Sequence, residues 1–162
     1  MIQKKICMLG GFGVGKTSLV SRFVHSIFSD KYLTTVGVKI EKKSVKLEAQ
    51  DVDLIVWDLH GEDEFQKLHM SYLRGSAGYL LVVDATRRAT LDTALMLHAK
   101  AQWAIGKVPV MLVINKTDLE STWALDQATI DQHDCPVVKT SAKTGTHVEE
   151  TFTALARTMS AG

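Results

Sequence analysis

The chain has 162 residues, of which 46% are hydrophobic, and its formal net charge is +1. This length suits one compact domain with a continuous buried core, so we predict a single domain over residues 1–162. The balanced charge and the scattered lysines and arginines argue against a nucleic-acid-binding groove or an anionic membrane surface, so partners must be inferred from specific sites.

The cysteines predict a cytoplasmic protein, and the chain ends show no targeting or lipidation signal. Cys7 lies in the apolar run KKICMLG, far from Cys135, so a buried free thiol is favoured over a disulfide and a reducing compartment is expected. The sequence shows no signal peptide, no apolar stretch long enough to cross a bilayer and no C-terminal cysteine for prenylation. We therefore expect no membrane anchor in this chain.

Short apolar runs alternate with helical patterns along the chain. The runs KICML, VDLIVWD, GYLLVVD, PVMLVIN and PVVKTS are rich in Val, Ile and Leu and favour buried strands. Helical spacing of apolar residues occurs at Leu19, Phe23 and Ile27, at Leu91 and Leu95, and at Val148, Phe152, Leu155 and Met159. We also expect core positions or partial burial for Trp57, Trp103 and Trp123. This alternation predicts a mostly parallel sheet with helices on both faces.

One stretch, TVGVKIEKKSVKLEAQDVDLIVWD, breaks the alternation. It contains two strand-like runs joined by a polar turn near Glu48 to Asp51, as in an antiparallel hairpin. The first run carries Lys39, Lys42, Lys43 and Lys46. Charged side chains on an edge strand discourage pairing with other chains, and this role is favoured over a docking surface for acidic partners. The predicted fold class is therefore α/β, with a mostly parallel six-stranded sheet and one antiparallel edge strand.

The first predicted strand is followed by GGFGVGKT. Gly10, Gly15, Lys16 and Thr17 fit the pattern GxxxxGKT between an apolar run and an amphipathic helix, which is the context that a phosphate-binding loop requires. Glycines let backbone amides curl around phosphate oxygens, the lysine neutralises the outer phosphates, and the threonine hydroxyl can ligate magnesium. A dinucleotide-binding GxGxxG loop is excluded because Lys16 stands where that pattern needs its last glycine.

Two later predicted strands are followed by NKTD, residues 115–118, and SAK, residues 141–143. Ligands of open parallel sheets bind at the carboxyl ends of strands, where these motifs would meet the phosphate loop. With these motifs the chain resembles the Ras-like small GTPases from about Lys4 to Met159. TTVGVKI and WDLHGED give the resemblance a Rab-like character.

The resemblance implies the three-layer fold of P-loop NTPases, GTP and GDP as ligands, and a bound Mg²⁺ ion. The implied nucleotide-binding residues are Gly11, Phe12, Gly13, Val14, Gly15, Lys16, Thr17, Ser18, Phe28, Thr35, Asp58, Gly61, Asn115, Lys116, Asp118, Ser141, Ala142 and Lys143. The implied magnesium ligands are Thr17, Thr35 and, through water, Asp58. The implied catalytic residues are Lys16, Thr35, Gly61 and Glu62.

By the same resemblance, each motif contacts a different part of the nucleotide. Asp118 would accept hydrogen bonds from the guanine ring nitrogen and exocyclic amine, and Asn115 would brace the loops. Lys116 would lie along the base, and the backbone amide of Ala142 would meet the guanine carbonyl. Phe28 matches the aromatic residue that packs on the guanine ring, although spacing alone allows a core position equally well.

The resemblance also implies two switch regions, residues 28–38 and 58–73, that bind effectors and regulators. Thr35, or its neighbour Thr34, would close on magnesium and the terminal phosphate. Asp58 and Gly61 match the DxxG motif, in which the glycine amide senses the terminal phosphate. The following segment places Phe65, Leu68 and Tyr72 roughly on one helical face, for which partner contact is favoured over a core role.

Two departures from the family predict slow hydrolysis. Glu62 replaces the usual glutamine that orients the attacking water. A carboxylate cannot donate a hydrogen bond as an amide does, and it brings negative charge toward a phosphate. Many family members have glycine or a small residue at the position of Phe12, and the benzyl group of Phe12 would crowd the space beside the terminal phosphate. His60 precedes the glycine of DxxG, and a surface or packing role is favoured for it over water ordering.

We therefore predict a GTP/GDP-binding switch that hydrolyses GTP slowly. No arginine lies between His25 and Thr35, so any arginine assistance would come from a partner. The alternative is a recruitment module that binds GTP or GDP with negligible turnover. An ATP-dependent phosphotransferase would use the same phosphate loop, but NKTD and SAK favour guanine.

Overall fold

The computed structural model describes residues 2–28, 38–59, 70–131 and 134–161. Its sheet consists of β1 (Ile2–Gly10), β2 (Val38–Lys46), β3 (Asp51–Leu59), β4 (Gly78–Asp84), β5 (Val110–Asn115) and β6 (Val137–Lys139). The strand order across this sheet is β2-β3-β1-β4-β5-β6. The predicted apolar runs all form strands, and β1 begins a few residues earlier than its run.

The edge strand β2 is antiparallel to β3, and the remaining neighbours are parallel. A tight turn joins β2 to β3, in which the Leu47 amide donates to the Gln50 carbonyl at 3.1 Å. The predicted hairpin and the mostly parallel six-stranded sheet are confirmed.

Helices cover both faces of this sheet. They are α1 (Lys16–His25), α2 (Ala89–Ile105), the short α3 (Gln127–Ile130) and α4 (Val148–Ser160), with 3-10 segments at Met70–Leu73 and Thr117–Thr122. Helices α1 and α4 pack on one face over a core that includes Phe23 and Phe152, whereas α2 packs on the other through Leu91 and Leu97. The three-layer α/β architecture is as predicted. None of the helices among the described residues is long and apolar enough to cross a membrane.

Two lysines on β2 make specific contacts with neighbouring elements, in addition to keeping the edge strand polar. Lys43 Nζ donates to the carbonyl of Phe23 at 2.6 Å and lies 3.3 Å from the Glu149 carboxylate. Lys42 Nζ lies 3.4 Å from Asp53 of the paired strand. Lys43 therefore connects the edge strand to α1 and α4, a role that its edge position alone did not predict.

Two expectations about apolar residues in predicted helices are wrong. Helix α1 ends at His25 because Ser26 adopts a left-handed backbone with φ of 58°, and this leaves Ile27 60% exposed. Trp103 is 90% exposed because the buried stripe of α2 runs through Leu97 and Ala101, and residue 103 lies on the outer face.

The region around the second predicted switch is described only in part. Phe65 and Leu68 lie outside the described residues. Tyr72 belongs to the 3-10 segment, is half-buried, and tilts against Trp57 with a ring separation of 6.3 Å. Trp57 and Trp123 are partly buried, as predicted. Cys7 and Cys135 are both free, as predicted.

Phe152→Ala should destabilise the fold far more than Trp103→Ala. The Phe152 ring stacks on Phe23 at a centroid distance of 3.9 Å in the buried core. Truncation to alanine removes buried apolar surface and leaves a cavity, which should lower the free energy of unfolding by about 3–5 kcal/mol. Trp103 is exposed, and its truncation should change stability by less than about 0.5 kcal/mol. Urea denaturation of both variants checks this, and equal losses would show that the core assignment is wrong.

Candidate functional site

Residues 10–17, which we call the phosphate loop, run from the last residue of β1 into the first turn of α1. Gly10 has no room for a side chain, because a Cβ there would lie 2.6 Å from the Val82 carbonyl oxygen. Gly15 has a φ of +102°, and a Cβ there would lie 2.4 Å from the Asn115 side-chain nitrogen. Glycine is therefore required at both ends of the loop by contact with β4 and β5.

Lys16, at the start of α1, is only 6% exposed. Its ammonium donates to the carbonyl oxygens of Gly10 and Gly11, each at 3.2 Å. Burial lowers the pKa of Lys16 to about 8, and the nearby Asp58 carboxylate opposes this shift. The loop thus holds a desolvated cation beside the first turn of α1, where the helix dipole also favours an anion.

Thr17 and Asp58 bring two oxygen ligands together. Asp58, near the end of β3, is 0% exposed, and its Oδ2 accepts a hydrogen bond from the Thr17 hydroxyl at 2.6 Å. Hydroxyl, carboxylate and phosphate oxygens are what Mg²⁺ prefers, and Mg²⁺ usually takes few protein ligands. Among the described residues no group of three or more His, Cys, Asp or Glu side chains could hold a metal. The pair fits a magnesium ion whose other ligands come from phosphate and water.

Asn115, the last residue of β5, connects the phosphate loop to the loops that carry NKTD and SAK. It is 1% exposed, and its Nδ2 donates to the Val14 carbonyl at 3.0 Å. Its Oδ1 accepts from the Thr140 hydroxyl at 3.1 Å and from the Ala142 amide at 3.3 Å. A single buried side chain therefore fixes all three loops.

The neighbouring residues of NKTD strengthen these connections. Lys116 adopts a left-handed backbone with φ of 67°, which turns the chain sharply after β5, and its Nζ donates to the Gly13 carbonyl at 2.9 Å. Asp118 is exposed, and its Oδ1 accepts from the Ser141 hydroxyl at 2.7 Å. The carboxylate of Asp118 is thus oriented at the surface beside the SAK loop.

Arg22 is a residue of this site that the sequence motifs missed. From α1, its Nε donates to the Ala142 carbonyl at 2.8 Å, and its Nη2 donates to the Lys143 carbonyl. These bonds hold the backbone of the SAK loop, in which Ser141 is 1% exposed. The only hint in the sequence is a basic residue inside an amphipathic helix, and surface helices commonly carry such residues whatever their function.

The other predicted site residues are placed as follows. Phe12 is 40% exposed, and Ser18 is half-buried in the first turn of α1. Phe28 is half-buried and packs against the core beneath α1 and α4. Thr35, His60, Gly61 and Glu62 lie outside the described residues, as do most of the two predicted switch regions.

The geometry defines a class of protein. A glycine loop opens α1 with a buried lysine, and a threonine lies against a buried aspartate. The glycine loop is fixed to the loops at the carboxyl ends of β5 and β6 through Asn115. This is the arrangement of a P-loop nucleotide-binding protein, in which backbone amides and a lysine receive phosphates.

Comparison with known proteins gives the family. The model of the Ras family matches residues 5–161. The chain is 33% identical over 158 residues to the Ras-related protein Rab-1D of Dictyostelium discoideum, covering 94% of this chain and 78% of the relative. It is 32% identical over 161 residues to the Ras-related protein Rab-1 of Theileria parva, covering 96% and 73%. The chain belongs to the Ras family and is a Rab-like, GTP-binding small GTPase, which confirms the resemblance.

Gly15→Ala should weaken GDP binding strongly, whereas Gly106→Ala should not. Both glycines have positive φ, so alanine is strained at either position. Only at Gly15 would the methyl group also collide with the Asn115 amide, whereas nothing lies within 4 Å at Gly106. We expect an affinity loss of about tenfold or more for Gly15→Ala, measured by fluorescent GDP titration. Equal affinity of the two variants would show that contact with Asn115 does not constrain the loop.

GDP binding should take up protons at about pH 8.5, because the pKa of Lys16 lies near 8 in the folded chain. Part of the Lys16 population is then neutral, and a phosphate beside it favours the charged form, raising its pKa. The uptake should fade below about pH 7, where Lys16 is already charged. Calorimetry in two buffers with different ionisation enthalpies measures it.

Lys16→Arg is the control for this proton uptake, since arginine stays charged throughout the range. The difference in binding heat between the buffers should shrink in this variant. Identical heats in both buffers for the wild type would contradict the lowered pKa of Lys16.

Proposed function

We propose that this chain is a molecular switch that binds GTP and GDP together with Mg²⁺ and hydrolyses GTP slowly. The observation that carries the proposal is the buried Asn115 side chain, which joins the phosphate loop to the NKTD and SAK loops. That junction brings the phosphate loop, the NKTD loop and the SAK loop together at one edge of the sheet, where we propose that they bind the phosphates and the base. We further propose that residues 1–162 act as a single domain.

Guanine selection is assigned to Asp118 and Ala142. A carboxylate that accepts from both the ring N–H and the exocyclic amine of guanine finds no such pair of donors on adenine. Ser141 holds one oxygen of Asp118 at 2.7 Å and so orients the carboxylate. The Ala142 amide, which donates to Asn115 Oδ1 at 3.3 Å in this structure, is assigned to the guanine carbonyl in the nucleotide-bound state. The Lys116 stem is proposed to lie along the base, and the Phe28 ring, which packs against the core in this structure, is proposed to pack on the guanine ring.

Phosphate binding is assigned to residues 11–18. The loop amides and the Lys16 ammonium would neutralise the phosphate charges. Thr17, Thr35 and, through water, Asp58 would hold the magnesium ion. When bound, this ion supplies positive charge to the phosphates. Thr35 and Gly61 are proposed to contact the terminal phosphate, so that residues 28–38 and 58–73 present different surfaces to effectors and regulators in the two nucleotide states.

Slow hydrolysis is inferred from the residues beside the terminal phosphate. Water attacks the terminal phosphorus and gives up a proton to the released phosphate or to solvent. The bond to the bridging oxygen breaks, and GDP leaves with the electron pair of that bond. Glu62 lacks the amide donor that would orient the water, and Phe12, at 40% exposure, adds bulk on the loop. If hydrolysis is negligible, the chain is instead a recruitment module that signals only by which nucleotide it holds. The free cysteines favour the cytoplasm for either role.

Identification of the nucleotide that co-purifies with the protein tests the proposed ligand. Protein denatured after gentle purification should release GDP or GTP, as detected by ion-exchange chromatography. Release of an adenine nucleotide would contradict the roles of Asp118 and Ala142 and would support a phosphotransferase.

Single-turnover hydrolysis tests the proposed slow rate. Relative to wild type, Glu62→Gln with Phe12→Gly should raise the rate by about tenfold or more, because an amide donor returns and the bulk is removed. Each single variant separates the two contributions. Wild-type hydrolysis as fast as that of the double variant would show that neither residue impairs the reaction.

A further inference from the structure

An aspartate outside the nucleotide motifs organises the outer side of the phosphate loop. Asp84, the last residue of β4, is 2% exposed. Its Oδ1 accepts from the backbone amide of Thr86 at 2.8 Å and from the Thr86 hydroxyl at 2.6 Å. Its Oδ2 lies 3.0 Å from Arg87 Nε and 3.0 Å from Lys116 Nζ. The carboxylate is thus a fixed, buried anchor for two cations.

Both cations reach on to the phosphate loop. Arg87 Nη2 donates to the Phe12 carbonyl at 2.9 Å, and Lys116 Nζ donates to the Gly13 carbonyl at 2.9 Å. Asn115 Nδ2 donates to the next carbonyl, that of Val14, at 3.0 Å. Three consecutive peptide groups are therefore held by their oxygens from outside the loop.

The direction of these bonds matters for phosphate binding. A trans peptide group is planar, and its C=O and N–H point in opposite directions. No cis peptide occurs in the part of the chain that the structure describes. Holding the Phe12 carbonyl outward therefore turns the Gly13 N–H the other way, toward the inside of the loop. Inward N–H groups in succession are what bind a phosphate at such a loop.

We propose that Arg87 is a positioning residue for the phosphate loop, which slows nucleotide release by fixing the peptide group between Phe12 and Gly13. This inference rests on the proposed function, since it assumes a nucleotide in the loop. Lys116 and Asn115 belong to NKTD, but Arg87 belongs to none of the motifs. It is the third side chain that binds one of the three consecutive carbonyl oxygens.

The bridge requires an arginine. Its Nε binds Asp84 while its Nη2 binds the Phe12 carbonyl, so one guanidinium spans both partners. Lysine has a single nitrogen on a flexible stem and cannot reproduce this fork. The Arg87 side chain is 46% exposed, so its removal leaves the hydrophobic core intact.

The test is the release rate of fluorescent GDP from the magnesium-loaded protein, chased with excess GDP. Arg87→Ala should release GDP about 3- to 10-fold faster than wild type, a modest factor because the arginine is half-exposed. Arg87→Lys should release GDP as fast as Arg87→Ala, because it keeps the charge but loses the bridge. Arg88→Ala, at the exposed neighbouring arginine, should match wild type.

Other outcomes overturn the inference in distinct ways. A release rate for Arg87→Ala within twofold of wild type means that Arg87 does not hold the loop. A wild-type rate for Arg87→Lys means that positive charge alone, not the bridge, retains the nucleotide. If the wild type binds no guanine nucleotide, the proposed function fails, and this inference fails with it.

Discussion

The site depends on the hydrogen bonds of one buried amide. Asn115 is 1% exposed, donates to the Val14 carbonyl, and accepts from the Thr140 hydroxyl and the Ala142 amide. A buried amide that loses its partners costs about 1–3 kcal/mol per group, so these bonds hold the loops in one arrangement. Asn115 is the last residue of β5, whose backbone pairs with β4 on one side and β6 on the other. The three loops are therefore anchored to the sheet through this residue.

Buried charge is the second constraint on the site. Lys16 is 6% exposed, Asp58 is 0% exposed and Asp84 is 2% exposed. Burial opposes ionisation of Asp84, but hydrogen bonds from Thr86, Lys116 and Arg87 keep its pKa below the ordinary value. Burial instead lowers the pKa of Lys16, whose hydrogen-bond partners are carbonyls. The hydrogen bonds of Asp84 thus compensate for its burial within the protein. The buried charge of Lys16 is only partly compensated, so a bound phosphate would stabilise it most.

The sequence predicted the parts of this protein that depend on local patterns. Strands that are buried on both faces have continuous apolar sequences, and the residues of the phosphate loop have a fixed spacing. These patterns were enough to predict the sheet, the edge hairpin and the family. Distant contacts of residues outside the motifs could not be predicted: Arg22 contacts the SAK loop 120 residues away, and Arg87 contacts Phe12 75 residues away. Trp103 was placed wrongly because α2 is apolar around much of its surface, so hydrophobicity did not identify its buried face.

The most direct measurement of whether one amide assembles the site is GDP release from Asn115→Ala. Circular dichroism first establishes that the variant keeps its secondary structure. We expect release about 10- to 100-fold faster than wild type, because the phosphate loop loses its link to both other loops and buried groups lose their partner. A folded variant that releases GDP at the wild-type rate would contradict the central role of Asn115.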